Sequence, residues 1–309
     1  VLYSGNLFDN SNWKVLFEFS DSEQDRKVFA RHVGLYGKSP LSDPFDITVQ
    51  AFVEAFVYTG SADGTSKKLQ EDISNWSYNN GSSVLYVQAD NLGNHFICGA
   101  GNEVTKIDNA GASIWTYTGH SNNVNSVAVN LVGDIFSASD DGNLDRINPD
   151  DGTQAARYFG FGSTAVKSVS VSAAGAYLVA GDVNGGVRRI NPDDLSAPWS
   201  VSPFTASVRG IKVKEDGTLI AASTDGYVKS LDITDGTNEL WSYGDGSLSF
   251  YEIDVDLDNN VYVGDNEGSV HKIDSSGVQV WKKESIHVGA VLGMAVDDYG
   301  TIYTAGEDN

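Results

Sequence analysis

Short stretches of alternating apolar and polar residues recur along the chain, separated by turns rich in Gly, Asp and Asn. One set of such strands is Ile47-Thr48-Val49, Val127-Ala128-Val129, Val169-Ser170-Val171, Ile211-Lys212-Val213, Ile253-Asp254-Val255 and Met294-Ala295-Val296. A polar turn follows each, such as Glu215-Asp216-Gly217 or Asp298-Tyr299-Gly300. Then comes a second apolar strand, as in Phe96-Ile97-Cys98, Tyr177-Leu178-Val179, Val261-Tyr262-Val263 and Ile302-Tyr303-Thr304. Acidic or glycine turns come next (Asp63-Gly64, Asp141-Gly142, Asp225-Gly226, Glu267-Gly268). A third strand closes on Leu69, Ile107, Ile147, Ile190, Leu231 or Ile273, and a fourth follows. Period-two patterning with turns roughly every 8–12 residues predicts an all-β fold.

The tryptophans fix the repeat length. Trp76, Trp115, Trp199, Trp241 and Trp281 are separated by 39, 84, 42 and 40 residues, and the midpoint of the long gap falls at Arg157, beside Tyr158. Four strands in about 40 residues is the signature of a propeller blade, whose sheet covers both its faces only by stacking on its neighbours. Complete units are expected at 44–82, 83–122, 123–164, 165–205, 206–248 and 249–288. Residues 289–309 supply the first two strands of a further unit, and residues 1–19, with Trp13-Lys14-Val15-Leu16-Phe17, resemble its last two. A seven-bladed β-propeller closed by both termini is therefore expected, with six blades and a partial one as the alternative. Residues 20–43 fall outside the repeat and are expected to be an inserted loop.

The units resemble the quinoprotein-like and WD-repeat propellers. Leu231-Asp232, Asp235-Gly236-Thr237 and Trp241 carry the first likeness, and Ile273-Asp274, Gly277 and Trp281 repeat it more loosely. Gly119-His120, Val124, Ser126-Val127, Gly133 and Ser139-Asp140-Asp141-Gly142 carry the second. The WD resemblance implies that His120 bonds within its blade. Quinone-cofactor enzymes of this kind have eight blades and a vicinal cysteine pair, whereas Cys98 is the single cysteine here. No cofactor is expected, and Cys98 reads as a core thiol.

Composition narrows the partners. Forty-two acids against 20 bases give a formal charge of −22, which disfavours nucleic acid and anionic membranes and favours basic or cation-bearing partners. No apolar run is long enough for a transmembrane helix. The chain opens on Val1 without a secretory apolar segment, so a module processed or excised from a longer chain is expected.

No nucleophile motif or phosphate-cradling loop appears. The five histidines lack metal spacing. Asp254, Asp256, Asp258 and Asn260 imitate the start of a calcium loop, but Asn259 stands where that loop needs Gly, and strand alternation explains the run better. A base precedes the end of the third strand in five units, as Lys68, Lys106, Arg146, Arg189 and Lys272, with Ser230 breaking the series. These are expected to tie blades together rather than to bind an anion.

The turns between second and third strands carry Asp63, Asp140, Asp141, Asp182, Asp225, Asp265, Glu267, Glu307 and Asp308. They are expected on one face, as an acidic rim for calcium or a basic protein segment. Turn chemistry alone is the competing explanation. The functional expectation is a non-catalytic scaffold binding a protein or glycan. Alternatives are a structural or receptor-binding part of a larger assembly, such as a virion tail or surface structure, and a calcium-using hydrolase or lactonase-like channel enzyme. An extracellular or virion-surface setting suits the acidic, cysteine-poor composition.

Overall fold

The computed structural model describes residues 15–21, 24–30, 57–61, 65–70, 73–214, 216–297 and 300–307. Every element among them is a β-strand. The chain divides into two units, Val1–Phe56 and Val57–Asn309.

In the first unit, Val15–Asp21 pairs antiparallel with Gln24–Ala30, with Val15 opposite Ala30 and Asp21 opposite Gln24. The segment expected as an inserted loop thus contributes one arm of a hairpin over Gln24–Ala30. Period two in Gln24–Ala30 was hidden because its polar residues outnumber the apolar ones. Of the expected closing residues 1–19, residues 1–14 lie outside the described residues, and Val15-Leu16-Phe17 is described as part of the first arm of this hairpin.

The second unit is a β-propeller of seven successive sheets, each an antiparallel meander. Blade 1 has three strands, Val57–Gly60, Thr65–Gln70 and Ile73–Asn79; its expected first strand at Ile47–Val49 is outside the described residues. Blades 2 to 6 have four strands each, beginning at Val84, Val124, Val166, Val208 and Phe250. Blade 7 contributes Val291–Val296 and Ile302–Gly306. The strands of blades 2 to 6 run within 84–117, 124–158, 166–201, 208–244 and 250–283.

The core lies between blades rather than inside any one of them. Phe136, Ala138 and Leu144 of blade 3 pack with Val166, Leu178 and Ile190 of blade 4. On the other face of blade 3, Ile135 and Ile147 join Phe96, Cys98 and Trp115 of blade 2. Alternate side chains of one strand therefore serve opposite neighbours, and second strands such as Ile135–Ser139 and Val261–Asp265 are buried at every position. Fourth strands form the outer edge and stay half open, as in Ser113–Tyr117. First strands of successive blades adjoin and surround the central channel.

Each described first strand carries a register shift after its opening residue: Val84/Tyr86, Val124/Ser126, Val166/Ser168, Val208/Gly210, Phe250/Ile253 and Val291/Gly293. A bulge of this kind places an extra residue against the partner strand and sharpens the local twist. At this end of the strands it shapes the channel mouth.

Candidate functional site

The basic series proves to be part of a clamp between blades. Lys106 lies opposite Trp115 in its own sheet, and both donate to one acceptor in the next blade, the Pro149 carbonyl: Lys106 Nζ at 3.1 Å and Trp115 Nε1 at 3.0 Å. Trp76 Nε1 donates to the Asn109 carbonyl at 3.1 Å while Lys68 Nζ bonds the Asn109 side chain. Trp199 and Arg189 both reach the Ile233 carbonyl, at 2.9 and 3.4 Å. Arg146 reaches the Asp193 carbonyl at 3.5 Å and pairs with Asp134 at 2.6 Å. Lys272 instead stays in its own blade, 3.8 Å from Asp256. The missing tryptophan position is Ala156, opposite Arg146, rather than the expected Arg157.

The acids assigned to the rim are largely engaged. Asp63 and Asp308 lie outside the described residues. Asp140 bonds the side chains of Asn125 (2.7 Å) and Lys167. Asp141 accepts from the Ser121 and Asn143 amides, both at 2.9 Å, and lies 3.0 Å from His120 Nδ1. Asp182 caps its turn through the Asn184 and Gly186 amides at 2.9 Å, and Asp225 accepts from the Thr205 amide at 2.7 Å. Asp265 is fully buried and accepts from the Glu267 and Ser269 amides. Glu307 accepts from the Ala290 amide at 3.2 Å, and the Glu267 side chain is exposed. Burial works to raise Asp141 and Asp265, but their amide and histidine partners overcome it and hold both below the usual carboxylate range. Among the described residues, no three His, Cys, Asp or Glu side chains gather as a metal site.

Two buried polar networks bridge blades near the same face. His120 Nε2 lies 2.8 Å from Ser137 Oγ in blade 3, in addition to its contact with Asp141. Beside it, buried Asp145 accepts two bonds from Arg157 at 2.6 Å and one from Tyr117 of blade 2 at 2.5 Å. In blade 6, His271 occupies the register position of Asp145, lying 2.9 Å from Asp265 and 2.7 Å from Tyr243 of blade 5. Burial pushes His271 down and both tyrosines up. Cys98 is fully buried, and desolvation pushes its thiol well up, as fits a core residue.

The channel holds residues that sequence reasoning did not select. At its waist are Tyr86 of blade 2, Lys212 of blade 5, and Glu252 with Asp254 of blade 6. Lys212 Nζ is 3.1 Å from Asp254 Oδ1, and Asp254 Oδ2 accepts the Val296 amide of blade 7 at 2.8 Å. Desolvation raises the Glu252 carboxyl to about 8; Lys212 opposes the shift and Asp254 adds to it. Asp254 therefore belongs to the channel, while Asp256 caps a turn through the Asp258 and Asn260 amides at 2.9 Å. The calcium-loop likeness divides between those two roles. The only sequence signal for the channel residues was their place on first strands.

Stacked four-stranded meanders, inter-blade tryptophans and glycine-bearing outer turns define a β-propeller. Residues 100–244 match the model of a family described as PQQ_2, outer membrane protein assembly factor BamB. No curated protein matches the chain.

Proposed function

We propose that this chain is a non-catalytic scaffold that holds a protein partner on the face formed by its second-to-third-strand turns and inter-blade loops. The observation that carries this reading is exposed apolar surface on that face. Val288 is 82% exposed, Phe159 69%, Leu292 50% and Leu85 48%. Leu85 and Leu292 line the channel mouth there, and large apolar side chains exposed on an acidic surface suit burial by another protein; turns of the opposite face expose Leu92, Leu131, Val132 and Leu257 as well. The description of the matched family as an assembly factor supports the same reading. A protein is favoured over a glycan because four of the five described tryptophans, Trp76, Trp115, Trp199 and Trp241, are engaged between blades and do not form a stacking platform. A role as one component of a larger surface assembly is a form of this proposal.

The test is a photo-crosslinking amino acid at Val288 or Phe159, with Asp150 on an outer turn as control. A single partner captured from the source at the first two positions, competed by unlabelled chain and lost in a Phe159→Asp, Val288→Asp variant, is expected. Equal capture at Asp150 overturns the proposal. So does calcium-dependent turnover of an ester or lactone by the purified chain.

A further inference from the structure

The second residue of each described first strand lies where the bulge opens the channel mouth. In order of blades 2 to 7 these are Leu85, Asn125, Lys167, Arg209, Tyr251 and Leu292. All six line one cavity. The ring is two-sided. Blades 3 to 5 present an amide and two cations, whereas blades 6, 7 and 2 present a phenol ring and two half-exposed leucines.

The cations differ. Lys167 is tied to Asp140, which Asn125 also holds. Arg209 is exposed, and no ion pair or hydrogen bond engages its guanidinium among the described residues. In a chain with 42 acids and 20 bases, an unengaged arginine at a channel mouth is a local reversal of sign.

We propose that this mouth binds the carboxylate of an acidic side chain on a partner loop, with apolar neighbours of that residue seated on Leu85 and Leu292. The proposal rests on the protein-binding reading above and names its chemistry. A guanidinium recognises a carboxylate through paired, charge-assisted hydrogen bonds. The floor below contributes Glu252 and Tyr86. Around neutral pH the carboxyl of Glu252 keeps its proton, because its pKa is raised to about 8 by desolvation. It then donates a hydrogen bond where an ionised group would repel the ligand. The other charged or titratable groups facing Glu252 are Lys212, Asp254 and Tyr86, with Lys167, Arg209 and Tyr251 at the mouth above. Outside the mouth, Asp141, Asp225 and Glu267 keep the turns negative, so a single acid among neutral or basic residues is selected over an acidic tract.

The test uses the full chain and two probe peptides, acetyl-Leu-Glu-Leu-amide and its Gln counterpart, titrated by calorimetry and NMR. At about pH 7 the Glu peptide is expected to bind about tenfold more tightly. Arg209→Ala, which removes no hydrogen bond or ion pair among the described residues, is expected to bring the Glu peptide down to the Gln level. Between about pH 7 and about pH 9 the wild type is expected to lose roughly tenfold, since the peptide carboxylate stays ionised throughout and only the site titrates. Glu252→Gln is expected to abolish that loss. Equal affinities for the two peptides, no binding by either, or an unchanged Arg209→Ala variant overturns the proposal. Partner capture at Val288 that survives Arg209→Ala marks failure of this site while the scaffold reading stands.

Discussion

Trp115 offers the sharpest test of how blades are joined. The residue is 8% exposed, and its ring sits against Gly152 in the outer turn of blade 3. Gly152 has φ of +70°, and a Cβ there would meet the indole Cδ2 at 2.7 Å. Trp115→Ala should cost about 3–5 kcal/mol through lost burial and the cavity left behind. The lost indole hydrogen bond is about 1 kcal/mol of that. The Pro149 carbonyl is not orphaned, because Lys106 still donates to it. Gly152→Ala should cost about 1–2 kcal/mol for its left-handed backbone, and more for pushing the ring aside. With Trp115 removed, only the backbone cost should survive. The two substitutions should therefore be coupled by about 1–3 kcal/mol in a double-mutant cycle. Urea unfolding followed by far-ultraviolet circular dichroism measures all four variants without relying on indole emission. Additivity within about 0.5 kcal/mol would refute the claim that the ring is seated on Gly152.

Arg157→Met should destabilise by about 3–5 kcal/mol, because it leaves the fully buried Asp145 carboxylate without its charge partner and with only Tyr117 and His120 nearby; a loss under 1 kcal/mol by urea unfolding would show that water, Tyr117 or His120 suffices. Glu252 has a folded pKa raised from 4.5 to about 8, so the folded state binds the extra proton between those values, and its contribution to stability declines as pH rises through that window. Glu252→Gln should flatten that decline in pH-dependent unfolding, and an unaltered slope would contradict it. Asp141 and Asp265 act oppositely: their pKa values are depressed, so what they contribute is lost as pH falls below the usual carboxylate range, and Asp265→Asn should weaken that acid dependence. Closure of the ring by residues 1–19 is our proposal for blade 7; deleting them should lower the thermal midpoint by more than a terminal trim does, and an unchanged midpoint counts against it.

Period-two runs, turn residues and tryptophan spacing determined the blades on their own, because each blade is a local meander whose strands pair with sequence neighbours. Turn acids such as Asp182 were legible for the same reason: an aspartate binds amides two to four residues ahead. The hairpin arm Gln24–Ala30 was not legible, since a polar strand carries no apolar alternation. What passes between blades was decided by tertiary structure alone. Tyr117 meets Asp145 across 28 positions, and Trp115 meets Pro149 across 34. Such separations are set by how sheets stack around the axis. Ala156 kept a tryptophan's place in the register without its side chain, so the composition pattern misplaced it by one residue. The channel residues were hidden for a further reason. Arg209, Glu252 and Tyr86 sit on ordinary first strands, and only the radial arrangement of blades turns those separate positions into one ring.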